Sequence, residues 1–118
     1  YFENNNGNVT ISERFLKPKV EHYNYDYFTN INYAFDLNKE VGNRVTSIKY
    51  KGEELSDNQT LTLVMNNYRA SGAGGYEFYE NCNVVKEILI EMPEIIINYF
   101  KNNPKVVVDT SRYYTTLI

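Results

Sequence analysis

Ile31-Asn32-Tyr33-Ala34-Phe35-Asp36-Leu37 places large apolar residues at every second position. Successive side chains of a strand point to opposite faces, so Ile31, Tyr33, Phe35 and Leu37 share one side and the segment reads as a strand. Asn38–Asn43 carries Gly42 and reads as a turn. Arg44-Val45-Thr46-Ser47-Ile48-Lys49-Tyr50 is a second alternating, β-branched run. Lys51-Gly52 opens another turn, and the polar Leu55–Asn58 leads into Thr60–Met65, read as a third strand. Strands this close together, joined by tight turns, predict an antiparallel meander.

Toward the N-terminus, Tyr1–Ser12 reads as a hairpin or loop around an Asn-Gly turn. Pro18 breaks any helix over Arg14–Val20 and predicts an extended connector there. In His22-Tyr23-Asn24-Tyr25-Asp26-Tyr27-Phe28, alternation places Tyr23, Tyr25 and Tyr27 on one face, either as packing or as a ligand platform. His22 itself reads as a surface or hydrogen-bonded loop residue. Toward the C-terminus, Val84–Ile90 reads as a strand, or as a short strand followed by a turn. Residues 93–103 predict a helix, with Pro93 in its first turn, Glu91 and Glu94 at its positive end and Lys101 at its negative end. Ile95, Ile96, Tyr99 and Phe100 form a stripe expected to pack in a core. Pro104 stops the helix, Val106–Val108 reads as a final strand, and Ser111–Ile118 as a tail. The class expected is α+β: an antiparallel or mixed β-sheet with one clear C-terminal helix.

The 118 residues allow at most one domain, or part of one, and 42% hydrophobic content suffices for a core. A net charge of −3 gives no electrostatic case for a nucleic-acid polymer or an anionic membrane surface. No apolar run approaches the roughly 20 residues of a membrane span. A single cysteine, Cys82, excludes an intramolecular disulfide, and a single histidine leaves only carboxylates for any metal site. Cys82, a single thiol among polar neighbours, is not expected to act as a catalytic nucleophile. Tyr1-Phe2-Glu3 reads as the middle of a longer protein. The twelve tyrosines have a plain alternative origin in the codon bias of an AT-rich genome.

Chemistry concentrates in Asn66-Asn67-Tyr68-Arg69-Ala70-Ser71-Gly72-Ala73-Gly74-Gly75-Tyr76. Flat aromatic faces, amide hydrogen-bonders and a glycine turn that lets another group approach the backbone suit a planar ring such as a nucleobase. For the glycines alone, a plain tight turn is the more frequent explanation. Arg69 either meets a ligand oxygen or pairs with Asp36 or Glu77. Asn66 and Asn67 either read a base edge or cap the turn. Tyr76 either lines the site or packs beneath the loop.

The chain resembles the C-terminal domain of the bacterial 5′-nucleotidase family, and within it the 2′,3′-cyclic-nucleotide 2′-phosphodiesterase/3′-nucleotidase branch. His22–Asp26 is similar to the family's HYNYD segment. Ile31–Leu37 with Val41-Gly42-Asn43-Arg44-Val45 is similar to its paired strand motif. Asn66–Ala70 followed by Gly72, Gly74, Gly75 and Tyr76 is similar to its NNYRA and glycine block. The resemblance implies that this chain is the C-terminal part of a substrate-binding domain. Upstream, it implies a metallophosphoesterase domain with two divalent metal ions, outside this chain. It further implies that the nucleoside base is sandwiched between two aromatic rings, one supplied by Tyr68. Asn67, Asn66, Arg69, Gly72, Gly74, Gly75 and Tyr76 are the neighbouring candidates. Thr29-Asn30 stands where the family carries an acidic-Gly pair, making Asn30 the candidate for a backbone contact to the base. Gly74 stands where the 5′-nucleotidase branch carries a ribose-binding Asp, which favours the cyclic-phosphodiesterase branch.

The function so implied is substrate recognition for a secreted, periplasmic or cell-wall-attached nucleotide phosphohydrolase. Its expected partners are a nucleotide and the catalytic domain of the same chain, and this chain alone is expected to be inactive. The alternatives are a non-catalytic small-molecule-binding module and a structural β domain. A chain lacking half of its domain exposes apolar surface, so a homodimer of this piece is a further expectation.

Overall fold

The computed structural model describes residues Tyr1–Ile118, the side chain of His22 excepted, so the expectation for that imidazole lies outside the described residues. The chain divides into two units, Tyr1–Gln59 with Ser111–Ile118, and Thr60–Thr110.

The first unit opens with a hairpin of β1 (Phe2–Asn5) and β2 (Asn8–Ile11), paired from Phe2↔Ile11 to Asn5↔Asn8. Its turn residues Asn6 and Gly7 have φ of 55° and 87°. Two positive φ values match the right-handed twist of the flanking strands, and Asn-Gly adopts them at little cost. Buried Ser12 closes the hairpin: its hydroxyl donates to Glu3 at 2.7 Å and its N–H to the Tyr1 carbonyl at 2.8 Å.

The alternating runs form β3 (Ile31–Asp36) and β4 (Val45–Tyr50), antiparallel as expected, with a register shift between Ala34 and Phe35. Lys51-Gly52 (φ 53° and 88°) turns the chain into the short β5 (Glu53–Glu54). Two further findings correct the sequence reading. Thr60–Met65 is not the third strand. The tail instead supplies β6 (Tyr114–Leu117), which pairs parallel to β3, so the sheet order is β5-β4-β3-β6 and the sheet is mixed. A parallel neighbour needs a long crossover, and the whole second unit lies in sequence between β5 and β6.

Aromatic contacts organise this unit. Tyr33 on β3 and its register partner Tyr114 on β6 stack at 5.9 Å between ring centroids. Tyr27 joins Tyr114 at 5.6 Å, and Phe28 and Phe35 meet Tyr33 edge-on at 6.1 and 5.5 Å. The expected common face of Tyr23, Tyr25 and Tyr27 does not form, because His22–Asn24 is a 3-10 turn rather than extended chain. Tyr23 and Tyr27 are exposed, whereas Tyr25 tilts against Tyr1 at 3.9 Å. Desolvation raises the Tyr25 phenol above its ordinary range, reinforced by the neighbouring Tyr1 and Tyr27. The connector before this cluster contains a 3-10 turn, Glu13–Phe15, and a cis Lys17–Pro18 bond.

The second unit contains α1 (Asn67–Ala70), a 3-10 segment (Glu77–Asn81) and α2 (Met92–Asn102). The position of α2 agrees with the capping signals, with Glu94 in its first turn and Lys101 in its last. Thr60–Met65, Val84–Ile90 and Val106–Val108 form no strands. Alternation specifies which side a residue faces, but a strand also needs a neighbour to receive its backbone hydrogen bonds, and none is present among the described residues of this unit. The stripe Ile95, Ile96, Tyr99 and Phe100 is exposed, and no hydrophobic side chain is buried among the described residues. That corrects the expectation of core packing. Within its unit α2 has no extended partner, since α1 is four residues long and the remainder is 3-10 or irregular.

Candidate functional site

The aromatic and glycine block occupies the start of the second unit and is built from its N-cap inward. Asn66 is extended (φ −78°, ψ 164°), and its side-chain oxygen accepts from the Arg69 N–H at 2.8 Å. This is the usual N-cap bond, satisfying one of the backbone donors that a helix start leaves unpaired. Of the two roles open to Asn66, capping is the one the structure shows. Tyr68 and Arg69 thus sit on a one-turn helix, not in a loop. Ser71 ends it, and its hydroxyl donates back to the Tyr68 carbonyl at 2.9 Å.

Arg69 is 6% exposed and, with Ser12, one of two buried polar residues among those described. Its guanidinium donates to the Ala73 carbonyl and lies 3.9 Å from the centroid of the Tyr76 ring. It also lies over the Tyr68 ring at 5.7 Å, near the outer limit for a cation–π contact. Tyr76 in turn stacks on Tyr79, with centroids 5.9 Å apart and planes within 1° of parallel. The result is a chain of contacts from Tyr68 through the guanidinium to Tyr76 and Tyr79. Tyr76 is therefore committed to packing against the loop, whereas the Tyr68 ring remains 47% exposed.

The glycines do different jobs. Gly72 (φ 76°) is buried, and a Cβ there would lie 2.8 Å from a Glu80 carboxylate oxygen and 2.9 Å from the Glu77 Cα. Its missing side chain lets the turn close onto the following 3-10 segment. Gly75 (φ 90°) is exposed, with nothing within 4 Å of an added Cβ. Gly74 also has positive φ, at 77°. Asn67 is exposed on the first residue of α1. Asn30 belongs to the first unit, where it is exposed with φ 63° directly before β3.

Sequence reading did not single out Phe78. It is 60% exposed, and its ring lies 4.4 Å from Tyr79 and 5.9 Å from Tyr76. An aromatic two residues after a Gly-Gly-Tyr turn was the available signal. Among the described residues no group of three or more His, Cys, Asp or Glu side chains is arranged to hold a metal ion. Among the same residues no helix is long and apolar enough to cross a membrane.

The block thus forms a capped turn that presents one half-exposed ring beside backbone with positive φ. Residues 3–81 match the family model "5′-nucleotidase, C-terminal domain", and the chain belongs to that family. Its curated relatives include the trifunctional nucleotide phosphoesterase protein YfkN of Bacillus subtilis (strain 168), 26% identical over 96 residues, which amount to 71% of this chain and 7% of that protein. Among solved structures, a Staphylococcus aureus chain described as a 5′-nucleotidase, crystallised with alpha-ketoglutarate, superposes with a TM-score of 0.87 at 32% identity. That match covers 100% of this chain and 23% of the other, so the chain spans a small part of both relatives.

Proposed function

We propose that this chain is the nucleoside-recognition part of a secreted nucleotide phosphohydrolase, and that it holds the base by stacking on Tyr68. The observation that carries the reading is the half-exposed Tyr68 ring, fixed on a capped helical turn with a cation behind it, in a member of the 5′-nucleotidase C-terminal domain family. Every nucleobase has a π-face, so stacking contributes about 1–3 kcal/mol per base with little preference among bases. Asn67 and the backbone of Gly74 and Gly75 lie close to Tyr68 in sequence to supply edge contacts. Hydrolysis belongs to a two-metal domain elsewhere in the same gene product, so the isolated chain is inactive and self-associates through its apolar surface. With Gly74 in place of a ribose-binding carboxylate, the substrate class favoured is the 2′,3′-cyclic or 3′-nucleotides.

The test compares 2′,3′-cyclic AMP, 3′-AMP and 5′-AMP as substrates of the gene product carrying this chain. Tyr68→Ala should raise KM for all three by about 10–100-fold, the equivalent of losing one stacked base, while Tyr68→Phe stays near wild type. An unchanged KM in Tyr68→Ala contradicts the stacking assignment. Preference for 5′-AMP over the other two contradicts the branch assignment alone.

A further inference from the structure

We propose that Arg69 is a positioning residue, acting through the Tyr68 ring and not as a ligand for phosphate. The inference rests on the reading of Tyr68 as the stacking surface and goes beyond it by assigning what orients that ring. An arginine that meets a phosphate presents its guanidinium at an accessible, electropositive surface. Arg69 does the opposite: it is buried, it donates within its own loop to the Ala73 carbonyl, and its guanidinium carbon lies 3.9 Å from the Tyr76 ring centroid and 5.7 Å from that of Tyr68.

The wedge is supported on both sides. Tyr76 lies 3.9 Å beneath the guanidinium and is backed in turn by the parallel Tyr79 ring. The backbone carrying Arg69 is fixed by the Asn66 cap, and the carbonyl of Tyr68 by the Ser71 hydroxyl. Tyr68 thus contacts a guanidinium that is itself held by the Tyr76 ring and the Ala73 carbonyl. A ring held this way loses little rotational freedom when a flat ligand arrives, which is how preorganisation raises affinity. The planar, delocalised guanidinium suits this place; a lysine ammonium is a point charge that cannot form a layer.

The experiment uses the gene product carrying this chain and two competitive inhibitors of its phosphohydrolase activity, adenosine and inorganic phosphate. The variants are Arg69→Lys, Arg69→Met, Tyr68→Ala and the double Arg69→Lys/Tyr68→Ala, each first confirmed as folded by thermal unfolding. Arg69→Lys is the fallback should the buried Met variant fail to fold. Arg69→Lys should weaken adenosine inhibition about tenfold, a fraction of the stacking contribution, and leave phosphate inhibition unchanged. Added to Tyr68→Ala it should weaken adenosine no further, because the ring it orients is gone.

Retention of wild-type adenosine inhibition in Arg69→Lys overturns the proposal, since a point charge then suffices. Weakened phosphate inhibition overturns it too, since Arg69 is then an anion ligand. Losses that multiply in the double variant likewise overturn it. If Tyr68→Ala itself leaves adenosine inhibition intact, the stacking reading falls and this inference with it. If Tyr68→Ala weakens adenosine while the Arg69 variants do not, this inference falls alone.

Discussion

The guanidinium of Arg69 lies 3.9 Å from the centre of the Tyr76 ring, and this contact joins the end of a one-turn helix to the far side of a glycine turn. A buried cation needs compensation for its lost hydration, and here the ring face and the Ala73 carbonyl provide it. Tyr76→Leu should therefore destabilise the second unit by about 1–2 kcal/mol, and Tyr76→Phe should be nearly neutral because the ring face survives. Denaturant unfolding of the three proteins reads the difference directly.

Gly72 and Gly75 both require positive φ, but only Gly72 also lacks room. Gly75→Ala should cost about 1 kcal/mol from backbone strain alone. Gly72→Ala adds an approach of 2.9 Å to the Glu77 backbone and should cost more, about 2–4 kcal/mol. Equal losses in the two variants contradict the close approach of turn and 3-10 segment.

Much of the fold was legible because its signals are local. Asn6-Gly7 fixes the hairpin turn, the alternation of Ile31–Leu37 and Arg44–Tyr50 marks β3 and β4, and the Pro93 and Lys101 signals locate α2. What was lost depends on distant partners. Thr60–Met65 alternates as well as β3 does, yet among the described residues no strand pairs with it. Tyr114–Leu117 carries β-favouring Tyr and Thr but becomes a strand through β3, some eighty residues away. At the site, Tyr68 and the glycines were visible as residue types. The burial of Arg69 was not, because the ring that covers it lies across a turn whose closure depends on Gly72.

The β4–β5 hairpin should weaken in acid. Glu54 accepts from the Ser47 hydroxyl at 2.8 Å and lies 3.5 Å from Lys49, its cross-strand partner. The Ser47 hydrogen bond, with the Lys49 charge adding, holds the Glu54 carboxyl below its ordinary value. A carboxyl with a depressed folded pKa stabilises the fold above its unfolded pKa, and that contribution fades as pH falls through the folded value. Amide NMR shifts of Ser47 and Lys49 should follow this titration in the wild type and lose it in Glu54→Gln.

The exposed stripe of α2, Ile95, Ile96, Tyr99 and Phe100, should drive association of the isolated 118-residue chain. Light scattering should show an apparent mass that rises with concentration, and Ile96→Glu with Phe100→Glu should reduce it. A monomer at every concentration contradicts this expectation.

The central claim is that Tyr68 is the stacking surface for a nucleobase, and the most direct measurement follows aromatic and amide NMR shifts during titration with adenosine. Stacking on Tyr68 requires saturable upfield movement of the Tyr68 ring protons, with smaller changes at Asn67 and Gly75, and loss of the response in Tyr68→Ala. Saturable binding that leaves the Tyr68 ring unmoved while shifting residues elsewhere would contradict it.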